Sequence, residues 1–438
     1  MIWHLFLVDD VIARGWTPLT VTRPAGEILF GALLLRERLE RATGLSTVGY
    51  LTAPGLEGFE MDGVPPLVKP AEIPRNRALV LLSSRYAPPL SRSGEPELII
   101  PAKVPNSRAR LMAEDSHVGW LLPPGAVLPP EEELTGEGSV FRHGSAVISD
   151  TIGESSDCRV ELPGSLLETP WDLVRRNANQ LSQDLSTLYP EGKGQDIKRL
   201  PEISGVEQFG ADPVSMGKDV IVEPGVVFDT TSGPIHLASG VRVRPLTHLQ
   251  GPAFVGTGSN LLGGLFQGLS CGPMCNLRGE ISTSILLGYT NKAHDGYLGH
   301  SLVGRWVNLG AMTTNSDLKN NYGSVRVTTA EGETDTGLLK LGVFLGDHVK
   351  TGIGMTLNAG TTVGVGTNLF GEGLPPKFVP PFHWGSGREL VPYRLEAFLE
   401  TAARAMDRRG VPLTFGESAL LTRIWHRVHA DEGARGTQ

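Results

Sequence analysis

Leu345-Gly-Asp-His-Val-Lys-Thr351-Gly-Ile-Gly-Met-Thr-Leu357-Asn-Ala-Gly-Thr-Thr-Val363-Gly-Val-Gly-Thr-Asn-Leu369 keeps a beat of six. Leu345, Thr351, Leu357, Val363 and Leu369 mark it, and Gly346, Gly352, Asn358 and Gly364 follow one place later. The spacing recurs at Val303-Gly304 and Leu309-Gly310, at Val220 and Val226 with Pro224-Gly225 between, and at Ile235 and Val241. Self-similarity at a fixed period is the signature of stacked units. It predicts a parallel β-helix of very short strands, with one side chain in six pointing inward and stacking on the next coil. The residue after it is expected at a corner of positive φ, where Gly or Asn is favoured. A Gly-rich β-sandwich would have to hold four successive sixes by chance.

Working outward, the beat breaks at 315–341, where Asn315-Ser-Asp-Leu-Lys-Asn-Asn-Tyr-Gly323 is polar and turn-rich and Val325–Val327 reads as a short strand. An insertion in a solenoid maps to a loop on one side, often the binding side. Residues 1–168 alternate apolar runs (Leu5–Val8, Ala78–Leu82, Leu98–Ile100) with helical patterns such as Ile28–Arg41, which predicts an α/β domain. Thr169-Pro170-Trp171-Asp172 is a helix start, and Trp171, Val174, Ala178, Leu181 and Leu185 form one apolar stripe after it. The expected division is 1–168 for the α/β domain, 169–205 for helix and connector, 206–373 for the β-helix and 374–438 for a helical tail. In that tail Leu395, Phe398, Leu399, Ala402 and Met406 share a face ending at Gly410. Thr414-Phe-Gly-Glu417 caps a last helix carrying Leu420, Leu421, Ile424 and Trp425.

Composition excludes several classes. The 438 residues carry 39 Lys+Arg against 47 Asp+Glu, a net charge of −8, with no basic field for nucleic acid. A hydrophobic fraction of 40% excludes wholesale disorder, and no run of about 18 apolar residues exists to span a bilayer. Met1–Val8 reads as a strand stopped by Asp9-Asp10. Of 55 Gly, 31 fall in residues 201–380, which places the tight turns in the solenoid. Three cysteines argue for a reducing, cytoplasmic setting without a disulfide framework. Cys271 and Cys275 read as small coil residues rather than metal ligands, and no metal set is expected.

The densest constellation is Asn291-Lys292-Ala293-His294-Asp295-Gly296-Tyr297-Leu298-Gly299-His300, then Val307-Asn308-Leu309-Gly310-Ala311. It joins a base candidate (His294), a cation (Lys292), a phenol (Tyr297) and an amide (Asn308) within two or three coils. Stacked side chains fill such a coil, so a site must lie on an outer face, against another subunit. His300 reads as solvating that face, and His348 as a corner residue or a neighbour of a cosubstrate.

These residues carry a resemblance. The beat with Lys-Ala-His-x-x-Tyr-Leu-Gly and Val-Asn-Leu-Gly-Ala resembles the acetyltransferase half of the bifunctional bacterial enzyme that makes UDP-N-acetylglucosamine. More closely, Asn291–Leu298, Asn315–Gly323, Leu345–Gly352 and Phe370–Phe378 resemble the GlmU-related sugar nucleotidyltransferase family, as do Pro18-Leu19-Thr20, Thr22-Arg23-Pro24 and Pro170-Trp171-Asp172. The resemblance implies a nucleotidyltransferase-like, Rossmann-like first domain, a left-handed β-helix and a homotrimer. Its activity would be CoA-dependent N-acetylation of an amino-sugar phosphate or nucleotide-sugar, with sugar-1-phosphate nucleotidyl transfer as a second activity of the first domain. It places His294 as the base, Tyr297 and Asn308 at sugar-phosphate positions, Ala311 where main chain meets acetyl-CoA, and Lys292, Asn315 and Lys319 around the sugar. A histidine of ordinary pKa can take the ammonium's proton at neutral pH, and a corner N–H can hold the oxyanion.

The first domain departs from the family. The opening strand runs into Val8-Asp9-Asp10-Val11 without the glycine-rich phosphate loop, and Ser83-Ser84-Arg85 stands where an Mg²⁺-binding carboxylate belongs. Arg85 and Arg23 are candidate phosphate contacts; Mg²⁺ is implied only for an active domain. Asn177 matches a second metal position or is an exposed helix residue. The rival to an enzyme is a catalytically silent sugar-nucleotide-binding or assembly protein that keeps the solenoid for trimerisation.

Overall fold

The computed structural model describes residues 3–52, 55–91, 96, 98, 107–136, 141, 158–190, 198–199, 203–387 and 389–435. Two compact units emerge. The first is Met1–Trp16, Thr22–Ile28 and Leu33–Pro170; the second is Thr17–Val21, Leu29–Ala32 and Trp171–Gln438.

In the first unit, apolar runs buried on both faces make the centre of a seven-stranded sheet. Its order is Cys158–Leu162, Ala109–Ala113, Ser116–Leu122, Ala78–Ser83, Trp3–Val8, Thr47–Leu51 and Leu67–Val68. Trp3–Val8 is parallel to both neighbours, whereas Ser116–Leu122 runs antiparallel to both of its own. Leu5, Leu7, Val80, Leu82 and Trp120 fill the core. The expected helix over Ile28–Arg41 is shorter and later. The helix spans Leu35–Thr43, with Glu37 accepting the Leu34 N–H. Of Leu98–Ile100 the last two residues lie outside the described residues, as do 191–197 and 200–202 of the connector.

The second unit contains the repeat. Short strands pair in parallel with the strand one coil later: Leu302↔Phe344, Phe344↔Thr362 and Thr362↔Phe378 on one side, Asn308↔Lys350 and Lys350↔Asn368 on the next. Thr314↔Thr356 marks a third side. Such ladders are those of a parallel β-helix.

Two details of the repeat differ from expectation. Two side chains per six point inward, not one: Val343 and Leu345, Met355 and Leu357 are all buried. Val226 and Val241 belong to the first of these positions, Leu345 and Val363 to the second, so the beats found in separate stretches are two phases of one repeat. Each large aliphatic side chain buried in this stack contributes about 1.5–3 kcal/mol. Positive φ falls three residues after the beat, at His348, Gly354 and Gly366, rather than one. Gly346 is glycine because the next coil passes too close, its would-be Cβ lying 2.7 Å from the Val365 nitrogen.

The insertion is where the beat breaks. An antiparallel hairpin, Arg326–Thr329 with Gly332–Asp335, projects there, and the expected strand at Val325–Val327 is its first arm. Helix Pro170–Leu188 buries Leu173, Val174, Leu181 and Leu185. Asn177 is not exposed: fully buried, it accepts from the Gly31 N–H (3.0 Å) and the Ser270 hydroxyl (3.1 Å), which leaves it no metal-facing role. Cys271 and Cys275 lie in the solenoid core. The tail helices span Leu395–Asp407 and Phe415–Arg435, the second opened by the reciprocal Thr414 and Glu417 bonds of a capping box. Among the described residues no helix is long and apolar enough to cross a membrane.

Candidate functional site

The coil carrying the constellation has strands Ile285–Leu286, Asn291–Lys292 and Tyr297–Gly299; the next has Leu302–Val303, Asn308–Leu309 and Thr314–Asn315. Stacking brings residues about one coil apart into register, and this builds the site.

Tyr297 and His300 converge on one carboxylate oxygen. The Tyr297 hydroxyl donates to Asp317 Oδ2 at 2.6 Å, and His300 Nδ1 lies 2.6 Å from the same atom. Burial works to raise the Asp317 carboxyl, but the bonds from His300 and Tyr297 outweigh it and hold the group below its usual range. Desolvation, with Asp317 beside it, pushes the Tyr297 phenol well up. The contact to Asp317 through Nδ1 fixes the orientation of the His300 ring, as a carboxylate partner does for an imidazole.

The backbone under this cluster is tightly specified. His300 sits at φ +48°, and its N–H donates to Ser282 O while its carbonyl accepts from Gly342 N–H, both at 2.8 Å. A non-glycine residue held in that region persists only where surrounding bonds fix it. Asn315 grips Gly299 at both ends, accepting its N–H at 2.9 Å and donating to its carbonyl at 3.1 Å. Gly299 has no room for a Cβ, because the Tyr297 hydroxyl occupies that space.

The other expected site residues fall as follows. His294 is exposed at the corner between Asn291–Lys292 and Tyr297–Gly299. Lys292 does not face outward: it takes an inward position and is 2% exposed. Its ammonium donates to the carbonyls of Arg278 (2.9 Å) and His294 (2.8 Å), and burial pushes its pKa down to about 8 against the pull of Asp295. Lys292 is therefore a corner strut rather than a sugar contact. Asn315 is 3% exposed and given to Gly299, a positioning residue rather than a substrate ligand. Lys319 ties the inserted loop through Ser324 O (3.0 Å). Asn308 lies on the neighbouring side, accepting from Asn291 Nδ2 at 2.8 Å. The Ala311 carbonyl accepts from Gly354 N–H at 2.8 Å.

His300 and Asp317 were not singled out as a pair from the sequence. The signal was their offset, which matches the Asn291↔Asn308 register of the same two coils.

In the first unit Arg85 is not a phosphate contact. It is fully buried and donates to both oxygens of Asp10 (Nε to Oδ1 3.1 Å, Nη2 to Oδ2 2.9 Å), to Leu167 O (2.5 Å) and to Phe141 O (2.6 Å). The parallel pair Val8↔Ser83 aligns the strand ends from which Asp10 and Arg85 meet. Arg23 is also buried, at 3% exposure. These residues do not fit Mg²⁺: Asp10 is neutralised by a guanidinium, and an arginine occupies the position expected for a carboxylate.

The sugar nucleotidyl transferase family model matches residues 5–191. Curated relatives include the bifunctional protein GlmU of Paraburkholderia phymatum, 24% identical over 55% of this chain and 57% of that protein. GlmU of Methanocaldococcus jannaschii is 30% identical over 28% and 25%. The bifunctional sugar-1-phosphate nucleotidylyltransferase/acetyltransferase of Sulfurisphaera tokodaii is 31% identical over 21% and 23%. The chain thus spans about a quarter of the length of two of these relatives and little over half of the third. Among solved structures, a variant of the N-acyltransferase AntD from Bacillus cereus is 14% identical over 44% of this chain and 89% of that one, at a TM-score of 0.22, too slight a likeness to carry an argument. The chain is therefore similar to sugar nucleotidyl transferases over residues 5–191 and to GlmU proteins over part of its length.

Proposed function

We propose that the protein is a transferase that moves an acetyl group from acetyl-CoA to the amine of an amino-sugar phosphate or nucleotide-sugar. The observation that carries this reading is the Asp317-held His300 beside Tyr297, on a parallel β-helix in a chain similar to GlmU proteins over part of its length. In the proposed step a proton leaves the sugar ammonium for the imidazole, and the free amine attacks the thioester carbonyl. The imidazole passes that first proton to solvent. As the tetrahedral adduct collapses the C–S bond breaks, and the second proton of the attacking nitrogen goes through the imidazole to the leaving thiolate. The products are an amide, a free thiol and one released proton. Asp317 orients the ring and stabilises the imidazolium. The main-chain N–H of Ala311, at a glycine-rich corner, would hold the oxyanion.

A second reading keeps the chemistry and makes His294 the base. Its exposure and its place in Lys-Ala-His-x-x-Tyr-Leu-Gly favour it. Both readings require a second wall for an outer-face site, so the working form is a homotrimer, built from left-handed coils as in the family it resembles. The first unit is proposed to lack nucleotidyl transfer, because the Arg85–Asp10 pair fills the place of the metal carboxylate. Incubation with acetyl-CoA and a panel of amino-sugar phosphates, following thiol release, tests the function. Turnover supports it, and no release with any member of the panel favours the silent assembly protein.

A further inference from the structure

A row of asparagines climbs one side of the solenoid. Asn260, Asn276, Asn291 and Asn308 pair in register, and the next place belongs to Lys350, followed by Asn368. Where the row changes from amide to cation, a cleft of about 310 Å³ opens, walled by Lys350, Asn276, Asn291, Asn308, Arg408 and Arg409. Tyr289 and Trp306, stacked with centroids 4.1 Å apart, form a rigid flank.

Three cations from two elements share this space. Arg408 and Arg409 follow the helix Leu395–Asp407, and a helix C-terminus favours positive charge without any ligand. That account does not reach Lys350, which comes from a solenoid strand and makes no side-chain hydrogen bond or ion pair among the described residues. Burial pushes its ammonium down to about 8, so its charge is held at a cost. No lining residue is acidic. With the Asn276 amide turned to suit its neighbours, its oxygen accepts from Arg409 Nη1 and Nη2 at 3.1 and 2.6 Å, which holds that guanidinium at the wall.

We propose that this cleft is a binding site for a diphosphate ester, with Lys350, Arg408 and Arg409 on the phosphate oxygens and the asparagine amides on the adjoining polar group. Guanidinium forks suit phosphate in pairs, an ammonium supplies a point charge, and the amides donate or accept as a sugar hydroxyl requires. Two sources share this chemistry, a nucleoside diphosphate and the diphosphate of coenzyme A. The proposal rests on the acyl-transfer reading for its choice of ligands, but pyrophosphate binding is measured without turnover, so the two can fail separately.

The test is calorimetric titration of the full chain with inorganic pyrophosphate, then with a nucleoside diphosphate and with coenzyme A. Saturable binding of pyrophosphate is expected, weakened about tenfold or more by Lys350→Met and again by Arg408→Gln with Arg409→Gln, the usual worth of a charged hydrogen bond. Tighter binding of either organic ligand identifies the source. Melting curves verify that the variants are folded; should Lys350→Met unfold, the arginine double variant decides alone. No saturable binding of pyrophosphate, or the same affinity in folded variants, overturns the proposal.

Discussion

His300 Nδ1 and Asp317 Oδ2 lie 2.6 Å apart across two stacked coils, and the Tyr297 hydroxyl reaches the same oxygen at the same distance. One carboxylate therefore fixes a ring and a phenol on an outer side of the solenoid. Asp317→Asn is expected to lower kcat by roughly 10²–10³-fold, the scale of an oriented acid–base group, with a smaller change in KM. Steady-state thiol release measures it. An unchanged kcat would mean that Asp317 only braces the inserted loop.

Gly299→Ala places a methyl group in the space of the Tyr297 hydroxyl. Overpacking of this kind costs about 1–3 kcal/mol, and the displaced phenol would release Asp317. A lower melting temperature together with lost turnover is expected. A fully active variant of unchanged stability would show that the strand has slack.

Arg85→Met leaves Asp10 charged and buried. Breaking a buried pair from one side costs about 3–5 kcal/mol. Adding Asp10→Leu should recover part of that, a coupling visible in a double-mutant cycle by denaturant unfolding. Simple additivity would show that the two groups act independently.

Asp9 gives a pH signature. Burial raises its carboxyl from 3.8 to about 6, against the nearby Ser84 hydroxyl and the Ala25 N–H, which donates to Oδ2 at 2.8 Å. Because the folded value is raised, the stability linked to this group is fully present below about pH 3.8 and is lost as pH rises through about 6. Asp9→Asn should exceed the native protein in stability above pH 6, by up to about 3 kcal/mol, and converge with it below pH 4. Parallel melting curves across that range check it; a constant gap would exclude titration of Asp9.

The solenoid was legible because its inward residues and close coil contacts recur in sequence every six places. What stayed hidden depended on which coil lies beside which. Lys292 occupies the beat itself, six after Leu286 and six before Leu298, yet its charge reads as a surface feature until its carbonyl partners are seen. His300 and Asp317 belong to no local motif and meet only through the stacking offset. The absence of the phosphate loop and of the metal carboxylate could be read directly. That Arg85 is neutralised by Asp10 could not, because the pair depends on strand ends brought together by parallel pairing.

The most direct test compares thiol release from acetyl-CoA by the native protein, His300→Asn and His294→Ala on the amino-sugar phosphate that turns over. An oriented imidazole is worth roughly 10²–10⁴-fold in kcat. The account predicts a loss of that size in His300→Asn and near-native kcat in His294→Ala, with both variants folded. The reverse pattern, or native rates in both, would contradict it.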